Sequence, residues 1–185
     1  MKAIMFSVCL GIVISGAALA QKGQANSSSK PVTVEIKNAQ GQNVGTATLS
    51  EAPHGVKIKI DIKNFPPGQH SIHIHQTAKC EPPDFSSAGS HFDPDGAGHG
   101  GHSGLPAGDI PDFSLIVGED GTSHATVIAP SITLGADDHS VFSNGGTAIV
   151  IHAVAGGTSS GAPPRIACVS LPSRSNAELA FQVSR

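Results

Sequence analysis

Apolar and polar positions alternate with a period of two along much of this chain. Val32-Thr33-Val34-Glu35-Ile36-Lys37 opens the pattern, and Val44 to Leu49 continues it. Val56-Lys57-Ile58-Lys59-Ile60-Asp61-Ile62 is its cleanest instance. Successive strand side chains point to opposite faces, so each run predicts a strand with one buried face and one wet face. Asn38 to Asn43 reads as a turn, and Pro66-Pro67-Gly68 ends the third run. Strand signals return at Phe113 to Val117 and Ala125 to Ala129. Thr147 to Val154 is a long apolar run, and Arg165 to Leu171 is the last clear one. Glu178 to Val183 is too short to assign. No internal repeat and no linker marks a second domain. The pattern predicts an all-β fold of about eight short antiparallel strands, a barrel or sandwich with its chemistry on two long loops.

Composition supports that class. The chain has 185 residues, enough for one domain with a proper core, and 22 Gly with 13 Pro but no Trp or Tyr. Turn formers at that density favour short strands over a helical bundle. The formal charge is −3 and no basic block or stripe is present, which argues against nucleic acid as a partner.

Residues 1–20 read as a secretory signal peptide. Lys2 supplies the positive start, Ala3 to Ser15 the apolar run, and Ala18-Leu19-Ala20 a small-x-small cleavage site before Gln21. The run is too short to span a bilayer, so no membrane anchor is expected. Cys9 lies inside it, without the small residues that precede a lipidated cysteine. Residues 21–30 form a polar, flexible lead-in, and residues 172–185 a C-terminal extension of unassigned role. The expected location is outside the cytoplasm, periplasmic or secreted, in a bacterium. Cys80 and Cys168 then remain. An even pair in an exported chain points to a disulfide; two unrelated buried thiols are the other reading.

The chemistry sits in the histidines. His70-Ser71-Ile72-His73-Ile74-His75 reads as a strand that puts His73 and His75 on one face and Ile72 and Ile74 on the other. Two imidazoles on a rigid edge make half of a transition-metal site, and imidazole suits copper and zinc. The bland reading is a half-buried strand with two polar outward residues. His91, His99, His102 and Asp109 follow within residues 76–112, a Gly- and Pro-rich stretch without periodicity. Such a stretch inside a compact domain is either disordered or functional. His152 ends a second apolar strand. His54, His124 and His139 read as solvated surface residues.

Together these segments resemble a copper,zinc superoxide dismutase. The matching blocks are residues 68–75 (GQHSIHIH), 87–94 (SAGSHFDP), 99–101 (HGG), 108–111 (GDIP), 148–152 (AIVIH) and 164–168 (PRIAC), in the family's order. The resemblance runs from about residue 31 to about 171. It implies an eight-stranded Greek-key β-barrel that disproportionates superoxide. It implies copper ligands at His73, His75, His91 and His152, with His91 the imidazolate shared with zinc. His99 and Asp109 match zinc ligands. Arg165 matches the arginine that attracts and orients superoxide, and Cys80 and Cys168 match an intrasubunit disulfide. His70 matches a structural histidine. A homodimer is compatible with the resemblance, though no residue pattern identifies the patch.

The chain departs from the family at three places. Pro106 stands where a third zinc histidine belongs, three residues before Asp109, and proline cannot ligate. His102, flanked by Gly100, Gly101 and Gly104, is the available substitute or else a solvated loop residue. Without it, zinc keeps three protein ligands, short of the closed four-ligand shell. Gly156 replaces an acidic residue that links the two metal sites. The segment from His152 to Arg165 is short and has no charge before Arg165, which predicts a more open copper site with weaker long-range steering. Such features point to a protein working with copper alone or with weak zinc. The runner-up function is a non-enzymatic copper-binding or copper-buffering protein on the same scaffold.

Overall fold

A computed structural model of the chain describes residues 30–97, 104–111, 113–154 and 163–173. The expected signal peptide (1–20), most of the expected lead-in (21–30) and most of the expected C-terminal extension (172–185) lie outside the described residues. Nine strands follow in order: β1 (Val32–Asn38), β2 (Asn43–Ala52), β3 (Gly55–Ile62), β4 (Gly68–His70), β5 (Ile72–His75), β6 (Leu115–Val117), β7 (Ser123–Ala129), β8 (Gly146–His152) and β9 (Arg165–Pro172). No α-helix occurs among the described residues, and the fold is all-β as the alternation predicts.

Seven strands form one curled antiparallel sheet in the order β5-β8-β9-β1-β2-β3-β7, and β4 pairs with β6 apart from it. The expected single histidine strand is therefore two. His70 belongs to β4, opposite Leu115, whereas His73 and His75 belong to β5, opposite Val150 and Ala148. Ser71 is the step between them. Its carbonyl accepts the His152 N–H at 2.9 Å, which anchors the step to the end of β8.

The alternation of β1, β2 and β3 does what it predicts. Val56, Ile58, Ile60 and Ile62 enter the core, while Lys57 and Lys59 face water. Each fully buried aliphatic side chain contributes on the order of 1.5–3 kcal/mol. β8 differs, because every residue from Gly146 to His152 is buried. It is covered on both faces, and a strand so placed reads as a continuous apolar run. Ile149 and Ile151 join the main core, whereas Ala148 and Val150 pack in a second cluster with Phe85, Ala88 and Cys168. That second cluster lies under the loop after β5.

The connection from β7 to β8, residues 130–145, is long but not slack. It buries Ile132, Leu134, Val141 and Phe142 in the main core. Its apolar residues follow neither strand nor helix period, so the sequence pattern alone does not reveal that they are buried.

Candidate metal centre

The site lies on the outer face of the β5–β8 ladder. Ile72 and Ile74 pair with Ile151 and Ile149 and point into the core, so His73 and His75 emerge on the other side with Val150 and Ala148. His152 lies two residues beyond Val150 and shares that face. His91 arrives by a different route. The chain from Ala88 to Phe92 runs antiparallel along the free edge of β5. Gln76 N–H donates to Ser90 O at 3.0 Å, and Phe92 N–H donates to Ile74 O at 2.8 Å. This pairing puts His91 opposite His75.

The result is a cluster. One ring nitrogen from each of His73, His75, His91 and His152 lies within 4.8 Å of the other three. The His73 and His91 rings stack at 4.2 Å between centroids, and His73 meets His152 edge-on at 5.0 Å.

The tautomers follow from the hydrogen bonds. His75 Nδ1–H donates to the Gly89 carbonyl and His152 Nδ1–H to the Pro163 carbonyl, each at 2.9 Å. A carbonyl only accepts, so in each neutral ring the proton is on Nδ1 and the lone pair on Nε2. His75 Nε2, His152 Nε2 and His73 Nδ1 are buried and have no hydrogen-bond partner. Orphaned buried polar atoms are costly and call for an explanation. A cation held among these nitrogens would account for all three. The donor set, four imidazoles, suits copper.

The electrostatics keep those lone pairs open. Burial, with smaller contributions from His91 and His152, lowers the His73 pKa to about 3. Burial also lowers that of His75 to about 3, against the partly opposing hydrogen bond to Gly89. His152 is lowered by burial as well. All three are neutral at pH 7 and ready to ligate.

Gly89 occupies a junction. Its carbonyl accepts from His75 and also from Arg165 Nη2 at 2.7 Å, while Arg165 Nη1 donates to Phe85 O at 2.7 Å. A histidine of the cluster and the arginine are therefore fixed to one loop. Gly89 has φ +77, a left-handed backbone conformation that favours glycine over any residue with a Cβ.

Arg165 reaches this face because of an irregularity. Ala167, Val169 and Leu171 on β9 point into the core, and strict alternation would send Arg165 there too. The register between β8 and β9 shifts between Ile151 and His152, so that Ala167 faces Ile151 but Arg165 faces His152. Ile166 is the extra residue and packs against the core. This bulge turns Arg165 to the histidine side.

The loops are stitched to β5 by Gly108. Ile74 N–H donates to Gly108 O at 2.9 Å, and Gly108 N–H donates to Phe92 O at 2.8 Å. A Cβ on Gly108 would fall 2.1 Å from the Ile74 carbonyl oxygen. The next residue, Asp109, then accepts from His91 Nδ1–H at 2.5 Å. That leaves His91 Nε2 for the cluster. Two of the four candidate zinc ligands, His91 and Asp109, thus meet. The other two, His99 and His102, lie outside the described residues, as does Gly156. Pro106 offers only its carbonyl, which accepts the Asp109 N–H at 3.0 Å.

The remaining expectations are placed as follows. Cys80 and Cys168 form a disulfide spanning 88 residues, with their Cα atoms 5.7 Å apart. His70 is buried, and its ring spans the carbonyls of His152 and Pro66, with 2.9 Å to each. Of the surface histidines, His124 pairs with Asp61 at 2.7 Å and His139 with Asp95 at 3.2 Å, so neither is merely solvated. His54 is exposed in the turn between β2 and β3. Sequence reasoning did not single out Gly89, Gly108 or the bulge. Single glycines in a Gly-rich loop carry no signal of their own.

An all-β scaffold here brings four imidazoles together beside a tethered arginine, a donor set that could hold a transition-metal ion. Residues 43–170 match the model of the family described as copper/zinc superoxide dismutase. Superoxide dismutase [Cu-Zn] 2 of Aquifex aeolicus is 39% identical over 122 residues, covering 64% of this chain and 70% of that protein. The Superoxide dismutase [Cu-Zn] of Escherichia coli K12 is 33% identical over 141 residues, covering 71% and 77%. Among solved structures, a SOD-like protein from Bacillus subtilis superposes with a TM-score of 0.66 at 31% identity, covering 75% of this chain and 97% of that one. A Cu/Zn superoxide dismutase from Brucella abortus gives 0.59 at 28% identity, covering 76% and 99%. The chain belongs to the copper/zinc superoxide dismutase family, and so to the oxidoreductases that act on superoxide.

Proposed function

We propose that this protein disproportionates superoxide with copper held by His73, His75, His91 and His152. The carrying observation is the set of three buried, partnerless ring nitrogens converging with His91 beside a tethered arginine. Two superoxide ions and two protons give one dioxygen and one hydrogen peroxide. Bound copper supplies the one-electron redox couple, which neutral imidazoles support in both oxidation states.

The chain's own residues do the rest. The carbonyls of Phe85 and Gly89 hold Arg165 in place while its remaining N–H groups stay available to an anion. A fixed cation at the mouth concentrates a small anion even in a net-negative protein. His91 Nε2 is the atom at which a proton is held and returned, with Asp109 fixing the ring through Nδ1. The Gly89 and Pro163 carbonyls keep Nε2 of His75 and His152 unprotonated.

Zinc is the weaker partner in this reading. Pro106 removes one ligand, so zinc held by His91, His99 and Asp109 needs His102 to close its shell. Export belongs to the same proposal. It joins a signal peptide over residues 1–20, a mature domain over 31–171 and a disulfide that persists in oxidising compartments.

The test is reconstitution with copper, with metal analysis, followed by the xanthine oxidase–cytochrome c assay. One copper per chain with rapid superoxide removal is expected. Tight copper without turnover would replace the dismutase by a copper-binding role. One tightly held zinc per chain beside copper would refute the copper-only form.

A further inference from the structure

Two kinds of group surround the Arg165 guanidinium. The carbonyls of Phe85 and Gly89 accept its N–H groups and leave its charge intact. Asp84, the residue immediately before Phe85, brings a full negative charge to the same turn. Asp84 is exposed, yet it is not free to swing away, because its Oδ1 accepts the Ser86 N–H at 3.0 Å. That bond, the largest influence on the group, also holds the Asp84 carboxyl below the usual carboxylate range, so it is ionised at any working pH. Its charge acts on Arg165, and that of Arg165 on it.

Residues 153–164 carry no charged side chain at all. An incoming monoanion therefore meets Arg165 together with the fixed carboxylate on the turn that tethers it. Arg165 is tethered to the turn that carries Asp84, and two opposite charges so placed partly cancel for an anion approaching from solvent.

We propose that Asp84 is a rate-setting electrostatic brake, which damps the attraction of Arg165 for superoxide and for competing small anions. The proposal rests on the dismutase reading above. It assigns Asp84 an effect on anion capture, not on metal binding or on the chemical step.

Asp84→Asn tests it on the copper-loaded protein. The amide keeps an Oδ1 acceptor for the Ser86 N–H, so the turn persists while the charge goes. Three quantities are read: kcat/KM for superoxide by pulse radiolysis across ionic strength, azide affinity by absorbance titration, and the thermal unfolding midpoint. We expect kcat/KM to rise about two- to threefold at about 10 mM salt and to approach the wild-type value at several hundred millimolar. Azide should bind more tightly by a similar factor, with the midpoint unchanged. Asp84→Glu, which restores the charge, should restore the wild-type rate and affinity. Unchanged rate and azide affinity at low salt would overturn the proposal. So would a change of the same size at every salt concentration, which marks a structural effect. If the wild type binds azide but does not turn over superoxide, the dismutase reading fails; the azide affinities alone then decide on Asp84.

Discussion

Removing the disulfide should cost this domain a large part of its stability, and the loss should reach both the arginine and the histidines. The Cys80–Cys168 bridge closes a loop of 88 residues. Chain-entropy arguments put the constraint on the unfolded ensemble at about 4.5 kcal/mol for that length. A domain of this size has only about 5–15 kcal/mol in total. Cys80→Ser is the cleaner perturbation. Cys168 is almost fully buried among Phe85, Ala88, Ala148 and Val150, where a lone thiol is tolerated and a serine hydroxyl is not. The loop released by the change carries Phe85 and Gly89, whose carbonyls hold Arg165. Urea unfolding followed by far-UV circular dichroism, with wild type under oxidising and reducing conditions beside the variant, measures the stability. Both reduction and Cys80→Ser should lower the unfolding free energy by about 3–5 kcal/mol. In the copper-loaded variant, kcat/KM for superoxide and copper affinity should both fall, because the same loop carries His91 and the Gly89 carbonyl that holds His75. A stability loss under about 1 kcal/mol would refute this account, as would wild-type rate and copper affinity in the variant.

Other perturbations separate the parts of the site. Arg165→Ala should lower kcat/KM for superoxide by about tenfold or more while copper content stays at the wild-type level, as measured by metal analysis beside the activity assay. Gly108→Ala forces a Cβ against the Ile74 carbonyl at 2.1 Å, so it should cost about 2–3 kcal/mol in thermal unfolding. Because Ile74 lies between His73 and His75, copper affinity should fall with it; wild-type affinity would show that the stitch does not position those rings. The metal-free protein should lose stability on acidification. His75 is nearly inaccessible and its folded pKa is about 3, below the unfolded value of about 6.5. The neutral ring therefore stabilises the fold fully above pH 6.5, and that contribution drains away as pH falls from there toward 3. The slope for His75 is at most about 1.4 kcal/mol per pH unit, with a smaller one from the half-exposed His73. Unfolding midpoints that hold level between pH 7 and 5 would contradict it.

Much of this protein was legible in its residues alone. Alternation marked β1, β2 and β3, because side-chain direction in a strand is local and needs no knowledge of partners. The same local rule put His73 and His75 on one face, opposite Ile72 and Ile74, and the structure keeps them so. The family blocks supplied His91, His152, Asp109 and the cysteine pair by position, and those residues do meet. Three things were not legible. The break at Ser71 divides one apparent strand between two sheets, and only the partners of His70 and His73 reveal it. The loop bearing His91 has no period, so its course along β5 is set by backbone bonds to Ile74 and Gln76. The face presented by Arg165 depends on a bulge. Periodicity from Ala167, Val169 and Leu171 points it into the core, and the register shift opposite Ile151 and His152 turns it out. A strand's own sequence sets which of its residues share a face. Where that alternation slips is fixed by the neighbouring strand, so the arginine meets the histidines only once β8 and β9 are paired.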